Sequence, residues 1–250
     1  MTVDTTLLIA FLAAFLRTSA MVFAAPLFTG TGVPVMVRVF FSAGLSLALT
    51  PIVHNSVVVP QDLHALVMFG VQEIAYGLVL GFCVQLILLA AEAAGSFLDL
   101  QVGFGLASVL APGSNIPGGV IARFKFLLAL VLFVSVNGHH MMFQALASGY
   151  QVSHQLSLSA TFETVLLALG RMSILAIQIA APVAAVMFVV DACMGIISRA
   201  VPQINVLMAG ISGKILVGII GLSVSLPALA IGVNRAIDWT GDTLVHLFAR

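Results

Sequence analysis

Residues 103–125 read GFGLASVLAPGSNIPGGVIARFK and separate two long apolar runs of the chain. Pro112 and Pro117 lack the amide proton that a helix needs, and five glycines make an ordered helix costly, so the backbone here leaves regular structure. Such backbone is tolerated at membrane depth only where protein buries it or where it lines a watery cavity. Two interpretations follow: a functional loop, or an ordinary connection at the membrane surface.

The composition of the chain is that of an integral membrane protein. Of its 250 residues, 61% are hydrophobic and 7% are charged, and the mean hydropathy is +1.21. These values lie far outside those of water-soluble domains, and no stretch is polar enough to form one. The apolar runs are long and continuous, whereas the strands of a membrane β-barrel are short and alternate. The sequence therefore predicts an all-α membrane protein.

About six apolar helical segments are expected, with kinks at internal prolines. The fifth contains Pro182 and the sixth contains Pro227, and Pro202 breaks the helix between them, so the last two segments form a C-terminal helical hairpin. The segments comprise residues 7–28, 35–53, 63–91, 126–147, 172–190 and 215–233.

One helical unit over residues 1–250 is the simplest domain organisation. Its parts are N-terminal helices (1–100), the central loop (101–122), middle helices (123–180), the hairpin (181–233) and a tail (234–250). The net charge is zero and the basic residues are dispersed, so nucleic acid is not an expected partner.

Four ionised side chains lie in or beside apolar runs, namely Arg17, Arg38, Glu73 and Lys214. Each costs roughly 2.5–3.5 kcal/mol at a helix centre on the insertion scale. They either contact a pore, a partner subunit or one another, or their charged ends reach the interface near helix ends. Glu73 and Lys214 have apolar residues on both sides, which favours the functional interpretation.

A polar stripe precedes the central loop. Gln85, Glu92 and Asp99 recur every seven residues, and Ser96 lies in helical register between the last two. This face should meet water or polar protein. The alternative is that Glu92 and Asp99 mark the end of the membrane span.

Gly77 and Gly81 form a GxxxG pattern in the third apolar run. Small residues at this spacing permit two helices to approach closely. The pattern is a weak signal in a chain with 22 glycines, and it indicates helix packing without identifying a partner.

Catalytic motifs are absent from the sequence. Adjacent His139 and His140 point about 100° apart on a helix, and no cysteine or carboxylate lies one turn away, so a metal site is poorly supported. Nucleophile, phosphate-binding and dinucleotide motifs are also missing. The sequence therefore predicts no catalytic, cofactor-binding or metal-binding residue.

Three segments resemble the FliR family of flagellar biosynthesis proteins, which includes the equivalent subunit of virulence type III secretion systems. They read GFGLASVLAPGSNIPGGVIARFK, FVSVNGHHMMFQAL and, near the start, PLFTGTGVPVMVRVFFSAGLSLALTP. The resemblance extends over residues 7–233. Its Asn-Gly-His-His stretch, residues 137–140, favours the flagellar branch over the virulence branch.

The resemblance implies a subunit of a protein export gate. Members of the family join FliP and FliQ subunits in a helical ring through which unfolded axial proteins are exported. It implies FliP-like and FliQ-like partners, an FlhB-like partner, contact with lipid, and a place in the bacterial inner membrane within the flagellar basal body. Residues 182–227 resemble a whole FliQ subunit, including the hairpin tip PQINVLMAGISGK.

The resemblance also implies roles for individual residues. The central loop of the family closes the channel as a plug, but Ala111 stands where an acidic residue often precedes Pro112, which leaves a charge-based contact there in doubt. The plug residues are Gly103, Phe104, Gly105, Pro112, Gly113, Ser114, Asn115, Pro117 and Gly118. Residues that contact subunits or face the conduit are Arg17, Arg38, Glu73, Gln85, Glu92, Asp99 and Lys214.

Two other functions compete with a non-enzymatic export-gate subunit. A small secondary transporter would also use helices broken by Gly and Pro, but we find no convincing inverted repeat. An intramembrane enzyme would have to rely on His139 or Asp191, which lack a recognisable catalytic setting.

Overall fold

The computed structural model describes residues 5–29, 33–56, 62–104, 119–150, 158–201 and 206–249, and helix is the only regular secondary structure in them. The prediction of an all-α protein is confirmed. The helices are α1 (Thr5–Ala24), α2 (Pro26–Thr29), α3 (Val35–Ser56), α4 (Leu63–Val102), α5 (Val120–Ser135), α6 (Gly138–Ser148), α7 (Leu158–Ala200) and α8 (Val206–Ala249).

The helix boundaries follow the glycines, prolines and asparagines of the sequence. Helix α3 begins just after Pro34, and α4 ends at Val102, just before Gly103, whose φ of +100° is favourable only without a side chain. Asn137 separates α5 from α6 and adopts a left-handed φ of 60°. Asparagine tolerates this conformation better than most residues, and the fourth apolar run, expected as one segment over residues 126–147, is divided here into two helices.

The number of apolar segments is as predicted. In the part of the chain that the structure describes, five helices are long and apolar enough to cross a membrane, and the bent pair α5 and α6 makes a sixth if it is one span. The boundaries of individual helices differ from those expected from the sequence. Helix α4 continues past residue 91 to Val102, and the first segment, expected over residues 7–28, is divided into α1 and the short helix α2.

Pro182 and Pro227 lie inside continuous helices, α7 and α8. The kinks expected at these prolines stay predictions. Pro202 belongs to residues 202–205, which fall outside the described residues, and α7 ends before them at Ala200.

Helix packing divides the chain into two compact units that interleave along the sequence. The first comprises Met1–Ile87, Asn137–Gly170 and Ile237–Arg250, and the second comprises Leu88–Val136 and Arg171–Ala236. The boundaries fall inside α4, α7 and α8 and between α5 and α6. The sequence-based subdivision did not anticipate this arrangement, and a single functional unit stays a prediction.

In the first unit, α1 packs against α3 and lies close to α4. A Cβ atom added at Gly77 would collide with the carbonyl oxygen of Arg17. At Gly81 it would lie 2.6 Å from the Cβ of Ala24 and 2.7 Å from the carbonyl oxygen of Met21. The GxxxG pattern therefore does mark a close helix contact, and its partner is α1 of the same chain.

In the second unit, small residues again set the helix spacing. A Cβ atom at Gly218 of α8 would lie 2.7 Å from a methyl group of Val102, and one at Gly221 would lie 3.0 Å from a methyl group of Val183. These contacts bring α8 against the end of α4 and against α7. The core of this unit is thus built around the two elements that flank the central loop, α4 and α5, together with the hairpin helices.

Candidate functional site

The two ends of the central loop meet at Asp99. Its Oδ1 accepts a hydrogen bond from the backbone amide of Ile121 at 3.0 Å, and its Oδ2 accepts one from that of Ala122 at 2.9 Å. The first amides of a helix have no partner within the helix, and a carboxylate near this end is favoured by the helix dipole. Asp99 is 3% exposed, so both oxygens are satisfied inside the protein.

Two glycines make room for this contact. A Cβ atom at Gly119 would collide with the carboxylate of Asp99, and one at Gly95 would lie 2.8 Å from the backbone nitrogen of Ala122. We call Gly95, Asp99, Gly119, Ile121 and Ala122 the loop junction. At Gly95 the backbone of α4 lies directly against the start of α5, and beside it the Asp99 carboxylate joins the two helices. These contacts fix the relative position of the helices that precede and follow the loop.

Of the predicted plug residues, the structure describes Gly103 and Phe104. Phe104 lines an apolar groove of about 370 Å³ with residues of α5 and α8. The groove is lined by Phe104, Val120, Ile121, Phe124, Ile219, Leu222, Ser223 and Leu226. The other predicted plug residues, Gly105, Pro112, Gly113, Ser114, Asn115, Pro117 and Gly118, lie outside the described residues.

Arg17 and Glu73 form a buried ion pair in the first unit. Arg17 Nε lies 2.6 Å from Glu73 Oε2, and Nη2 donates to Oε1 at 3.0 Å. The two residues are 0% and 1% exposed. This bidentate geometry is the strongest arrangement available to a guanidinium and a carboxylate. The sequence left open whether Arg17 and Glu73 contact a pore, a partner subunit or each other, and the structure shows that they contact each other.

Both tyrosines of the chain complete this group. The guanidinium carbon of Arg17 lies 3.7 Å from the ring centre of Tyr150 and 4.6 Å from that of Tyr76. The Tyr150 hydroxyl donates to Glu73 Oε2 at 3.1 Å. Burial raises the pKa of Tyr150 well above its usual value, so the hydroxyl stays protonated and able to donate. We call Arg17, Glu73, Tyr76 and Tyr150 the charged cluster.

The remaining predicted charges lie nearer the surface. Lys214 of α8 forms an ion pair with Asp191 of α7, and their side chains are 23% and 45% exposed. Arg38 Nη2 donates to the carbonyl of Val33 at 3.0 Å, and its guanidinium lies 5.8 Å from the ring centre of Phe23. Contact of Lys214 and Arg38 with partner subunits stays a prediction.

The polar stripe of α4 contains partly or fully exposed residues and one buried residue, Asp99. Gln85 and Glu92 are half-buried, and Ser96 is exposed and donates to the carbonyl of Glu92 at 3.1 Å. Asp99 instead contacts backbone amides within the chain. That Gln85 and Glu92 face a conduit or a partner stays a prediction.

Comparison with known proteins identifies the family. The family described as "Bacterial export proteins, family 1" matches residues 8–239. The chain is 31% identical to the flagellar biosynthetic protein FliR of Bacillus subtilis, over 96% of this chain and 95% of that protein. The chain belongs to the FliR family of export proteins.

Other relatives include proteins named FliR and a protein named SpaR. The flagellar biosynthetic protein FliR of Escherichia coli is 27% identical over 86% of this chain and 83% of its own length. The surface presentation of antigens protein SpaR of Shigella flexneri is 28% identical over 59% of this chain and 58% of its own length.

Some buried polar side chains of this FliR-family chain, besides Tyr76, received no role from the sequence. One is Tyr150, for which the residues around it give no signal. Another is Lys125 of α5, which is 1% exposed and donates from Nζ to Ser225 Oγ of α8 at 3.1 Å. Lys125 stands at the edge of an apolar run, and the criterion that selected Arg17 would have found it.

Among the described residues, the predicted histidine pair is not part of a group of metal-binding side chains. His139 is half-buried, and its Nδ1 has no hydrogen-bond partner among the described residues. Within those residues, no three His, Cys, Asp or Glu side chains lie close enough together to hold a metal ion.

Proposed function

We propose that this chain is a subunit of the flagellar type III protein export gate. The observation that carries the proposal is the match to a flagellar relative over 96% of the chain, whereas the virulence relative SpaR matches 59% of it. In this role the chain is not an enzyme, and its cargo is unfolded flagellar axial protein.

The gate is a hetero-oligomer in this proposal, formed with FliP-like and FliQ-like subunits and contacted by an FlhB-like subunit. Support comes from apolar side chains that α7 leaves exposed, among them Phe188 (73%), Ile196 (69%) and Ile177 (68%). Patches of this kind mark protein or lipid contacts. The half-exposed Lys214 ammonium adds a charge that a partner could approach.

The complex is placed in the bacterial inner membrane, within the flagellar basal body. Among the described residues, five helices long and apolar enough to cross a membrane, with the bent pair α5 and α6 as a further candidate, support a membrane location. The flagellar name of the relatives supports the basal body.

The central loop closes the channel in this proposal. Residues 105–118 contain two prolines, three glycines and no charged residue, so an independent helix is unfavourable and closure depends on packing inside the surrounding ring. Support also comes from Asp99, which holds both ends of the loop at one place.

Co-purification tests the subunit assignment. The tagged chain, extracted in mild detergent from cells that express it with FliP-like and FliQ-like subunits, is expected to bring both down in fixed ratio. Lys214→Ala is expected to lower their recovery more than Arg235→Ala, an exposed cation on the same helix. A chain that purifies without either subunit would contradict the assignment.

Deleting residues 112–118 tests the closure assignment. The assembled complex that lacks this segment is expected to conduct small ions in a planar bilayer, while the unmodified complex stays closed. Replacing the same residues with a Gly/Ser stretch of equal length should also leak, because packing and not length provides closure. If the deleted complex assembles normally and remains tight, the loop is not the closing element.

A further inference from the structure

We propose that the apolar groove between α5 and α8 binds one acyl chain of an anionic phospholipid, and that Arg123 on the first turn of α5 contacts its phosphate group. The groove is the one that Phe104 lines, and the proposed function gives it no role. The inference requires a chain that lies in a membrane. It does not depend on the export gate or on the closure of a channel.

The walls of the groove offer hydrocarbon and no free hydrogen-bonding side chain. Seven of the eight lining side chains are apolar, and the eighth, Ser223, donates within α8 to the carbonyl of Ile219 at 3.5 Å. An extended peptide in this groove would leave backbone amides and carbonyls without partners, whereas an acyl chain carries no such groups. The volume of about 370 Å³ lies within the roughly 300–1,000 Å³ of small-molecule sites.

The groove is open to the outside of the chain and lies near the start of two membrane segments. Val120 and Ile219 are 62% and 56% exposed. The candidate segment formed by α5 and α6 begins at Val120, and that of α8 begins at Ser212, about 10 Å of helix before Ile219. At the start of a membrane segment, lipid headgroups meet the hydrocarbon layer, so a lipid can place both of its parts there.

The charge at this end of α5 is positive. Arg123 is exposed, and among the described residues no carboxylate lies within ion-pair distance of it. Lys125 adds a second cation, which is buried and bound to Ser225, and the Asp99 carboxylate adds one negative charge at the first amides of the helix. Two cations and one anion leave a net charge of +1. Basic positions between membrane helices favour anionic headgroups.

Arg123 stands on the flank of the helix face that lines the groove. It follows Val120 by three residues, a spacing that places two side chains on the same side of a helix. Its guanidinium carbon lies 5.5 Å from the ring centre of Phe126, so the cation lies beside apolar surface. A guanidinium can bind two phosphate oxygens at once, which suits a lipid whose chain enters the neighbouring groove.

Photocrosslinking in the assembled complex tests the site. The probe is phosphatidylglycerol with a diazirine in one acyl chain, added to nanodiscs of phosphatidylcholine, and mass spectrometry locates the modified residues. We expect modification within residues 120–124 and 219–226 of this chain. Unlabelled phosphatidylglycerol should compete for these positions several-fold better than added phosphatidylcholine.

Filling the groove tests the binding of the acyl chain. Ser223→Trp places a large side chain in the groove and is expected to lower this modification several-fold. Val224→Trp adds the same side chain at the next position of α8, which is exposed but does not line the groove, and should leave modification unchanged. Leu226→Trp is a second filling variant and replaces Ser223→Trp if that complex does not assemble.

Neutralising Arg123 tests the binding of the phosphate group. Phosphatidylcholine with the same diazirine chain serves as a second probe. Arg123→Gln should remove the preference for the phosphatidylglycerol probe, while the chain of either probe still enters the groove. Arg235→Gln removes an exposed cation elsewhere on α8 and should retain the preference.

The outcomes bear on the lipid site alone. Equal modification of the unmodified complex and both filling variants would overturn the groove as the binding site, and an unchanged preference in Arg123→Gln would overturn the contact with phosphate. A groove that takes up neither probe in the unmodified complex would be filled by protein, from a partner or from this chain, and the inference would be wrong. No measurement here uses recovery of partners or ion conduction, so its failure is distinct from failure of the proposed function.

Discussion

At the scale of the residue, the charged cluster shows how α1 and α4 can carry ionised side chains inside an apolar unit, because these side chains bind one another. Moving two charged side chains out of water costs roughly several kcal/mol for each ion. The attraction between the two charges offsets this cost only when their geometry is good and further hydrogen bonds satisfy their remaining atoms. Arg17 and Glu73 meet both conditions, through two short contacts and through the Tyr150 hydroxyl. The pair also admits a single register of α1 along α4.

Breaking the pair from one side is therefore expected to be severe. Glu73→Gln leaves a buried guanidinium without its counter-charge, which costs about 3–5 kcal/mol in comparable buried pairs. The measurement is the fraction of complex that remains monodisperse after graded heating in detergent. Glu163→Gln, an exposed carboxylate on α7, is the matched control and should behave like the unmodified chain.

A double variant distinguishes charge burial from packing. Arg17→Met with Glu73→Leu removes both ions, so it should retain more stability than Glu73→Gln alone. If the double variant is the less stable of the two, the tyrosine contacts of Arg17 contribute more than the ion pair does.

The sequence could identify these residues but not their partners. The sequence marks Arg17, Glu73 and Asp99 because ionised side chains are costly in apolar runs. A charged residue among apolar neighbours can be recognised from the linear sequence alone. Their contacts join residues 56 and 22 positions apart, so they depend on how the helices pack. Tyr150 lies in no apolar run and gave no signal, and its role depends entirely on the folded position of its ring.

At the scale of the element, the packing of α1 on α4 depends on two glycines. Gly77 and Gly81 bring the α4 backbone against Arg17, Met21 and Ala24 of α1. The same approach places Arg17 beside Glu73, one turn before Gly77 on α4. Close packing and the ion pair are thus two consequences of one helix contact.

Substitution of Gly77 tests this contact. Gly77→Ala adds a methyl group where the backbone oxygen of Arg17 lies, and overpacking of this kind costs about 1–3 kcal/mol. Gly70→Ala, on the same helix, places its methyl group at an ordinary 3.5 Å from a Leu16 side chain and should be tolerated. Equal thermal stability of the two variants in detergent would show that α1 and α4 do not require the close approach.

At the scale of the whole molecule, helix length was the property least visible in the sequence. The apolar runs predicted spans of ordinary length, and the count of about six is confirmed. However, α4, α7 and α8 have 40, 43 and 44 residues. Helix α4 continues through Asp99, whose carboxylate is satisfied by backbone amides of α5. Single-sequence patterns locate the apolar centre of a helix better than its ends.

These lengths exceed what a bilayer covers. A 40-residue helix is about 60 Å long, whereas the hydrocarbon layer is about 30 Å thick, and tilts of up to about 40° do not remove the difference. Exposed apolar side chains run along α7 from Phe162 to Ile196, over roughly 50 Å of helix. We therefore expect that lipid covers only part of this apolar surface and that other protein covers the rest.

The chain expressed alone should consequently be unstable. Without partners, the uncovered surface of α7 and the half-exposed pair of Lys214 and Asp191 have no complementary surface, so we expect aggregation or degradation. Co-expression with FliP-like and FliQ-like subunits should yield a defined complex. Size-exclusion chromatography with mass determination in detergent compares the two preparations. A monodisperse monomer that moves a small solute in liposomes would contradict the gate-subunit proposal and favour a secondary transporter.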